Sequence, residues 1–267
     1  MARPATLAGN VPAAQRGASQ ASLEQKLERL RTLRSQASDE QLAEYIFRFD
    51  MSWIHHDSAL EGVVYDPNEL MTAVSDNVVS DNSLVPTYDE IRQHKAAIDF
   101  VRKHADDKSQ PITLESLKQI YLVLAPEEAE GRNAPRYRKD MPLHRVYFHE
   151  IAKPEKISGQ LRQLITWLGS AEPRRTMHPV RIASKAHYEL LHISPFPKHA
   201  GKLARLFMNL ILLREGYPPA VIHATDRQRY YEALKTSPDA AAAIVQEALR
   251  NTVNAGLSYF RSAHRKD

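Results

Sequence analysis

Residues 203–213, Leu-Ala-Arg-Leu-Phe-Met-Asn-Leu-Ile-Leu-Leu, limit the fold of this chain more than any other stretch. They are apolar on nearly every face of a helix, and a helix of that kind has to be surrounded by other elements. Arg205 lies inside this segment. Because a guanidinium keeps its charge and is costly to bury unpaired, we expect a carboxylate of this chain, a bound phosphate or both to face Arg205.

Helical patterns occupy most of the remaining chain and could supply those surroundings. A first helix is predicted from Ser22, with Leu23, Leu27 and Leu30 on one apolar face, and a second begins with a capping box at Ser38 and ends at Gly62. Residues 136–151 are the exception, because β-branched and aromatic residues flank a Met-Pro turn there and predict a short β-hairpin flap. The predicted fold is mostly α, with further helices at about 67–75, 87–105, 113–124, 155–169, 178–193, 200–214, 226–235 and 239–262.

The composition narrows the classes of function. With 36 basic and 32 acidic residues the surface is mixed, and no nucleic-acid motif accompanies its charge, so we expect no nucleic-acid partner. The absence of cysteine excludes disulfides, thiol catalysis and cysteine-bearing metal sites, and the histidines show no metal-binding spacing. No apolar run is long enough to span a membrane, so we expect a cytoplasmic protein, with delivery to another cell by a specialised secretion system left open.

The segment Phe-Pro-Lys-His-Ala-Gly-Lys, residues 196–202, immediately precedes the apolar helix. It combines a glycine-containing turn, the free amide groups of a helix N-terminus and two lysines close to Arg205. These features suit the binding of an anion. A solvated basic turn is the alternative that the residues leave open.

This stretch and its neighbours resemble the Fic (Fido) domain family. The family signature is His-Pro-Phe-x-(Asp or Glu)-Gly-Asn-Gly-Arg-x-x-Arg, and residues 194–205 read Ser-Pro-Phe-Pro-Lys-His-Ala-Gly-Lys-Leu-Ala-Arg. Residues 178–222 are similar to the family's central helix pair and the loop between them, and 136–168 are similar to its flap and the next helix. The resemblance implies a Fic helical bundle with its core at 86–236. The composition of residues 1–20 predicts a mobile tail, and the helical pattern adds N-terminal helices at 21–85 and a C-terminal helix at 237–267.

The resemblance also implies a chemistry that the motif only partly supports. In the family, the motif His takes a proton from a target hydroxyl during transfer of AMP, and the acidic residue holds Mg²⁺ on the nucleotide. Here Ser194 and Lys198 occupy those two positions. A serine does not titrate near neutral pH and an ammonium does not bind a divalent cation, so we expect neither the usual base nor a metal ion.

The candidate ligand is therefore a nucleotide or another phosphate compound, and its identity stays open. The phosphate-binding candidates lie in the motif loop and the start of the next helix: Lys198, His199, Gly201, Lys202 and Arg205. Ser194 and His199 are the only candidates for a catalytic role. Two functions remain: a non-catalytic Fic-fold protein that binds a phosphate compound, a nucleotide or a protein, or a remodelled transferase that moves AMP or another phosphate-containing group to a hydroxyl.

Two further segments resemble regulatory and docking elements of the family. Residues 55–70 resemble its autoinhibitory helix, (Ser or Thr)-x-x-x-Glu-(Gly or Asn), in which Glu61 and Gly62 match and Asp57 replaces the hydroxyl residue. We expect Glu61 to contact Arg205, either to regulate the site or as a structural ion pair. Tyr137 and Arg138 in the flap are predicted to dock a protein partner, with a solvated hairpin as the alternative. The oligomeric state is left open.

Overall fold

A computed structural model describes residues 13–75, 82–129, 134–142 and 149–263 of the 267-residue chain. No helix within these residues is both long and apolar enough to cross a membrane. Helices dominate the described part, as the sequence predicts. They are α1 Ala13–Gln36, α2 Asp39–Leu60, α3 Pro67–Val74, α4 Val85–Asp106, α5 Leu114–Leu124, α6 Pro154–Gly169, α7 Ala171–Thr176, α8 Pro179–Ile193, α9 Ala200–Arg214, α10 Arg227–Thr236 and α11 Pro238–Ala263.

Helix α9 forms the centre of the bundle. Every side chain from Ala200 to Leu212 is buried, and α4, α5 and α8 pack around the helix. The prediction that the apolar segment 203–213 is surrounded by other helices is therefore confirmed. Because α9 begins directly after the motif loop, its burial also brings Lys202 and Arg205 into the interior.

The start and end of α2 follow the signals in the sequence. Ser38 accepts a hydrogen bond from the Gln41 amide, and the Gln41 side chain accepts one from the Ser38 amide, which completes the predicted capping box. At the other end Gly62 has φ +92°, a conformation that strongly favours glycine. The helix therefore ends immediately before Glu61, which follows it as the capping residue.

The N-terminal helix is longer than the sequence pattern predicts. It begins at Ala13, so residues 13–20, which we expected in a mobile tail, belong to α1, while 1–12 lie outside the described residues. This stretch is rich in alanine and glutamine, which favour a helix even without an apolar period. Leu23, Leu27 and Leu30 are buried on the predicted apolar face, and α1 packs against α11.

The predicted β-hairpin flap is not present in the described residues. Residues 134–142 and 149–151 contain no strand, and residues 143–148 lie outside the description. Two backbone groups of this region pair with the loop and helix beside them: the Arg138 amide donates to the Pro195 carbonyl at 3.0 Å, and the Ala152 amide donates to the His192 carbonyl at 2.7 Å. The composition of this region favours extended backbone. Its two backbone hydrogen bonds, however, go to Pro195 in the motif loop and His192 in α8, and not to a second strand of a hairpin.

Candidate functional site

Two residues in left-handed conformations bound the motif loop. Ser194 ends α8 with φ +44°, and His199 precedes α9 with φ +53°. A residue other than glycine adopts this conformation only at an energetic cost, so surrounding contacts have to hold it there. Together these two turns reverse the chain and place the start of α9 beside the end of α8.

Arg138 supplies many of those contacts. Its Nε donates to the Ser194 carbonyl at 2.7 Å, and the other nitrogens donate to the carbonyls of Ile193, Asp140 and Ala152. The side chain is only 5% exposed. The guanidinium that we expected to dock a partner therefore holds the flap region against the motif loop in this structure.

Aromatic packing fixes the apolar side of the same loop. Phe196 is buried and stacks on Tyr121, with ring centroids 4.1 Å apart and planes 14° apart. The Tyr137 ring also contacts Phe196, with centroids 5.7 Å apart and planes tilted by 36°, and Tyr137 stays half-buried. The docking role of Tyr137 remains a prediction, and its observed contact is with the motif.

Arg205 has two carboxylate partners. Its Nη2 donates to Glu61 Oε1 at 2.9 Å and to the Asp57 carbonyl at 3.1 Å, while Nε donates to the Asp57 carboxylate. The expected contact between Glu61 and Arg205 is thus present. Burial opposes the charge of Arg205, but the two carboxylates outweigh it and keep its pKa well above the usual value.

The roles of Asp57 and His94 in this ion-pair network were not predicted from the sequence. Asp57 is 3% exposed, and its second oxygen lies 3.0 Å from Nε2 of His94, which is 1% exposed. Burial raises the pKa of Asp57, but Arg205 and His94 outweigh burial and hold that pKa below its usual value. Burial also lowers the pKa of His94. The spacing of one helical turn between Asp57 and Glu61 was a signal for a shared face, whereas nothing local pointed to His94 on another helix.

Gly201 makes room for Glu61 at the start of α9. A Cβ atom at this position would lie 1.8 Å from Glu61 Oε1 and 2.9 Å from Arg205 Nη1, so any side chain would displace the carboxylate. Gly201 was predicted to approach a phosphate. In this structure the group that it accommodates is a carboxylate of the chain itself.

The two lysines of the predicted phosphate site also have acidic partners. Lys202 is 2% exposed, and its Nζ lies 2.5 Å from Glu90 Oε1. Lys198 is exposed and pairs with Glu127 at 2.9 Å. Burial raises the pKa of Glu90, but Lys202 and the hydroxyl of Tyr65 outweigh it and lower that pKa. Neither acidic partner was identified from the sequence, because both come from segments far from the motif.

A cavity of about 300 Å³ remains over the loop. Burial and the neighbouring Lys202 lower the pKa of His199, so its imidazole is neutral at pH 7. No group of three or more His, Asp or Glu residues suited to a metal ion occurs in the part of the chain that the structure describes. The cavity is lined by Glu61, Val63, Glu90, Pro142, Ser194, Phe196, Pro197, Lys198, His199, Ala200 and Lys202.

Comparison with known proteins agrees with this geometry. The model of the Fic/DOC family matches residues 111–212, which include α8, the motif loop and most of α9. The chain is 33% identical over 187 residues to the protein adenylyltransferase Fic of Nematostella vectensis, a match that covers 68% of this chain and 42% of the relative. The chain belongs to the Fic/DOC family.

Other members of the family match to a similar extent. The protein adenylyltransferase Fic of Culex quinquefasciatus is 30% identical over 186 residues, which cover 69% of this chain and 36% of that relative. The chain thus spans less than half the length of both curated relatives.

Solved Fic structures share the fold at low identity. The Fic domain containing signaling protein of Bacteroides thetaiotaomicron superposes with a TM-score of 0.77 at 20% identity, over 91% of this chain and 98% of that chain. Fic-1 of C. elegans gives a TM-score of 0.71 at 20% identity, over 94% and 76%.

Proposed function

We propose that this chain is a non-catalytic Fic-fold protein whose motif loop is closed by its own ion pairs. One observation carries the proposal: every cationic side chain that we expected to bind phosphate already has a carboxylate partner. Arg205 pairs with Asp57 and Glu61, and the two lysines of the loop pair with Glu90 and Glu127. The positive charge of the loop is therefore neutralised without any ligand.

The groups in the reactive positions of the motif support the same proposal. Ser194 stands where the family has its base, and its hydroxyl cannot accept a proton near neutral pH in the way an imidazole does. Lys198 stands in the acidic position and is engaged by Glu127. Loss of a general base alone costs on the order of 10² to 10⁴ in rate, before the missing metal ligand is counted.

A nucleotide would also have to rearrange the loop in order to bind. Its phosphates would need to displace Glu61 from Arg205 and Glu90 from Lys202. Asp57 would remain under Arg205, because it is fully enclosed at the end of α2 and can leave only if that helix end moves. The proposed function therefore does not depend on nucleotide turnover.

The surface beside the closed cavity favours a protein partner. Val63 lines the cavity and is 39% exposed, the adjacent Val64 is 72% exposed, and Met141, next to the lining residue Pro142, is 39% exposed. Large aliphatic side chains grouped beside a cavity are typical of protein interaction sites. We infer that a partner protein docks on this apolar rim, beside the flap region.

The second candidate, a remodelled transferase, also has a specific observation in its favour. Arg205 Nη1 is buried and forms no hydrogen bond of normal geometry with the described atoms, although the guanidinium also interacts with the Tyr230 hydroxyl. His199 and Ser194 line the cavity over the motif loop, which Arg205 itself does not line, and the two relatives above are named protein adenylyltransferases. A phosphate group transferred from a nucleotide to a hydroxyl would then use this donor.

Intact-mass spectrometry separates the two candidates. The purified chain is incubated with ATP, CTP, UTP or GTP in the presence of Mg²⁺, alone and with candidate protein targets. We expect no mass gain in the chain or the targets. A time-dependent gain that is lost in Arg205→Ala and kept in Arg48→Ala, a control at an exposed arginine of α2, would establish the transferase instead.

A further inference from the structure

A second cationic site lies between α1 and α11. The cleft between these helices has a volume of about 870 Å³ and shares no lining residue with the motif cavity. Among the described residues that line it, three are cations, one is the apolar Leu257, and none is a carboxylate. These described lining residues are Ser22, Gln25, Lys26, Arg29, Asn254, Leu257, Ser258, Arg261 and Ser262.

The nearby acidic residues of α1 are engaged outside this cleft. Glu24 accepts a hydrogen bond from the Tyr217 hydroxyl at 2.7 Å and lies 3.5 Å from His178 Nε2. Glu28 pairs with Arg31 at 3.3 Å. Neither carboxylate lines the cleft. Both carboxylates therefore interact with partners other than the three cations of the cleft.

The cations of the cleft have no carboxylate counter-ion among the residues that the structure describes. Arg29 and Arg261 form no ion pair with any carboxylate that the structure describes. Lys26 Nζ donates to Asn254 Oδ1 at 3.0 Å, and an amide leaves its charge uncompensated. Arg261 also lies in the last turn of α11, where a cation favours the helix. That effect does not explain the two cations of α1.

The chemistry of the lining specifies a class of ligand. Three like charges around one cleft repel one another, and a multiply charged anion would convert this repulsion into attraction. Serine hydroxyls, amide groups and arginine forks are donors for phosphate oxygens. No aromatic side chain is among the described residues that line the cleft, so these residues offer no surface on which a base could stack. We propose that the α1–α11 cleft binds a small compound that carries two or more phosphate groups and no aromatic part.

Isothermal titration of the full chain with inorganic tripolyphosphate tests this site. The double variant Arg29→Ala/Arg261→Ala removes two exposed cations and no internal ion pair, so we expect it to fold, as circular dichroism would verify. We expect its affinity for tripolyphosphate to fall at least about tenfold, because two charge-assisted contacts are lost. The control Arg48→Ala removes one exposed arginine at a distant position and should leave the affinity unchanged.

Three results would overturn the proposal. Unchanged affinity in the double variant would show that tripolyphosphate does not use the cleft. A loss of binding in Lys202→Ala alone would place it at the motif loop. Tighter binding of ATP or of a short DNA duplex than of tripolyphosphate, abolished by the same double variant, would show that the cleft recognises a nucleoside or a polynucleotide.

Discussion

The buried ion pair of Arg205 makes a quantitative prediction about stability. Asp57 and Arg205 are 3% and 2% exposed, whereas Glu61 lies at the edge of the site with 19% of its side chain exposed. Removing one partner of a buried pair costs about 3 to 5 kcal/mol. Because Glu61 still neutralises Arg205 when Asp57 is lost, we expect Asp57→Asn to cost about 3 kcal/mol, at the low end of that range.

Glu61→Gln is the matched control, because it removes the same charge from the same arginine. The Glu61 carboxylate of the natural chain is partly solvated, and Asp57 stays in place in the variant. We therefore expect Glu61→Gln to lower the free energy of unfolding by about 1 kcal/mol. Urea unfolding followed by circular dichroism at neutral pH measures both values. For a chain of roughly this size, 3 kcal/mol corresponds to a fall in Tm of about 6 °C or more. Equal losses in the two variants, or a cost below 1 kcal/mol for Asp57→Asn, would refute the assignment of Asp57 as the principal partner.

The same variant has a defined dependence on pH. The pKa of Asp57 is lower in the folded chain than its ordinary value of 3.8, because Arg205 and His94 outweigh the effect of burial. Its contribution to stability is therefore present above that ordinary value and is lost as pH falls through the lower folded pKa. We expect the stability difference between the natural chain and Asp57→Asn to be constant at neutral pH and to shrink below about pH 3.8. A gap that stays constant down to pH 2 would contradict this.

Three further outcomes follow from single residues. Gly201→Ala should expel Glu61, and both Gly201→Ala and Glu61→Gly should raise ATP affinity in calorimetry; unchanged affinity in both variants would show that Glu61 does not occlude the cavity. Arg138→Ala removes the donor that four carbonyls share, and it should lower the free energy of unfolding in urea by about 3 kcal/mol or more. A loss under about 1 kcal/mol would contradict the role of Arg138 in holding the flap region against the motif loop. Burial lowers the pKa of His187 to about 3, so stability should fall as pH drops from 6.5 towards 3, by at most about 1.4 kcal/mol per pH unit, and His187→Gln should flatten this slope.

The helices and the core were predictable from the sequence because their signals are local. The apolar period identified the buried face of α1, and the capping box at Ser38 located the start of α2. The continuous apolar run correctly placed α9 at the centre. Each of these inferences needs only neighbouring residues and the geometry of one helix.

Of the residues that pair with the candidate site, some could be predicted from the sequence and others could not. The requirement for a carboxylate on Arg205 followed from its apolar surroundings, and Glu61 satisfied it. His94 and Glu90 lie on α4, about a hundred residues before the motif, and their positions depend on how that helix packs against α2 and α9. The prediction of a β-hairpin was wrong for a related reason. Composition predicts extended backbone, but it does not determine which other backbone groups an extended segment will pair with.

The two cationic sites differ in what a phosphate must displace. At the motif loop it has to remove Glu61 from Arg205 and Glu90 from Lys202, so two ion pairs break before any contact is gained. At the α1–α11 cleft it displaces water and relieves repulsion between Arg29 and Arg261, which have no carboxylate partner among the described residues. Tripolyphosphate should therefore occupy the cleft first. Since exposed charges are screened by salt, this binding should weaken strongly between 50 and 500 mM NaCl, values chosen to shorten the Debye length from roughly 14 to roughly 4 Å. Salt-independent binding would mean that the ligand is held in a desolvated pocket, and would point back to the motif loop.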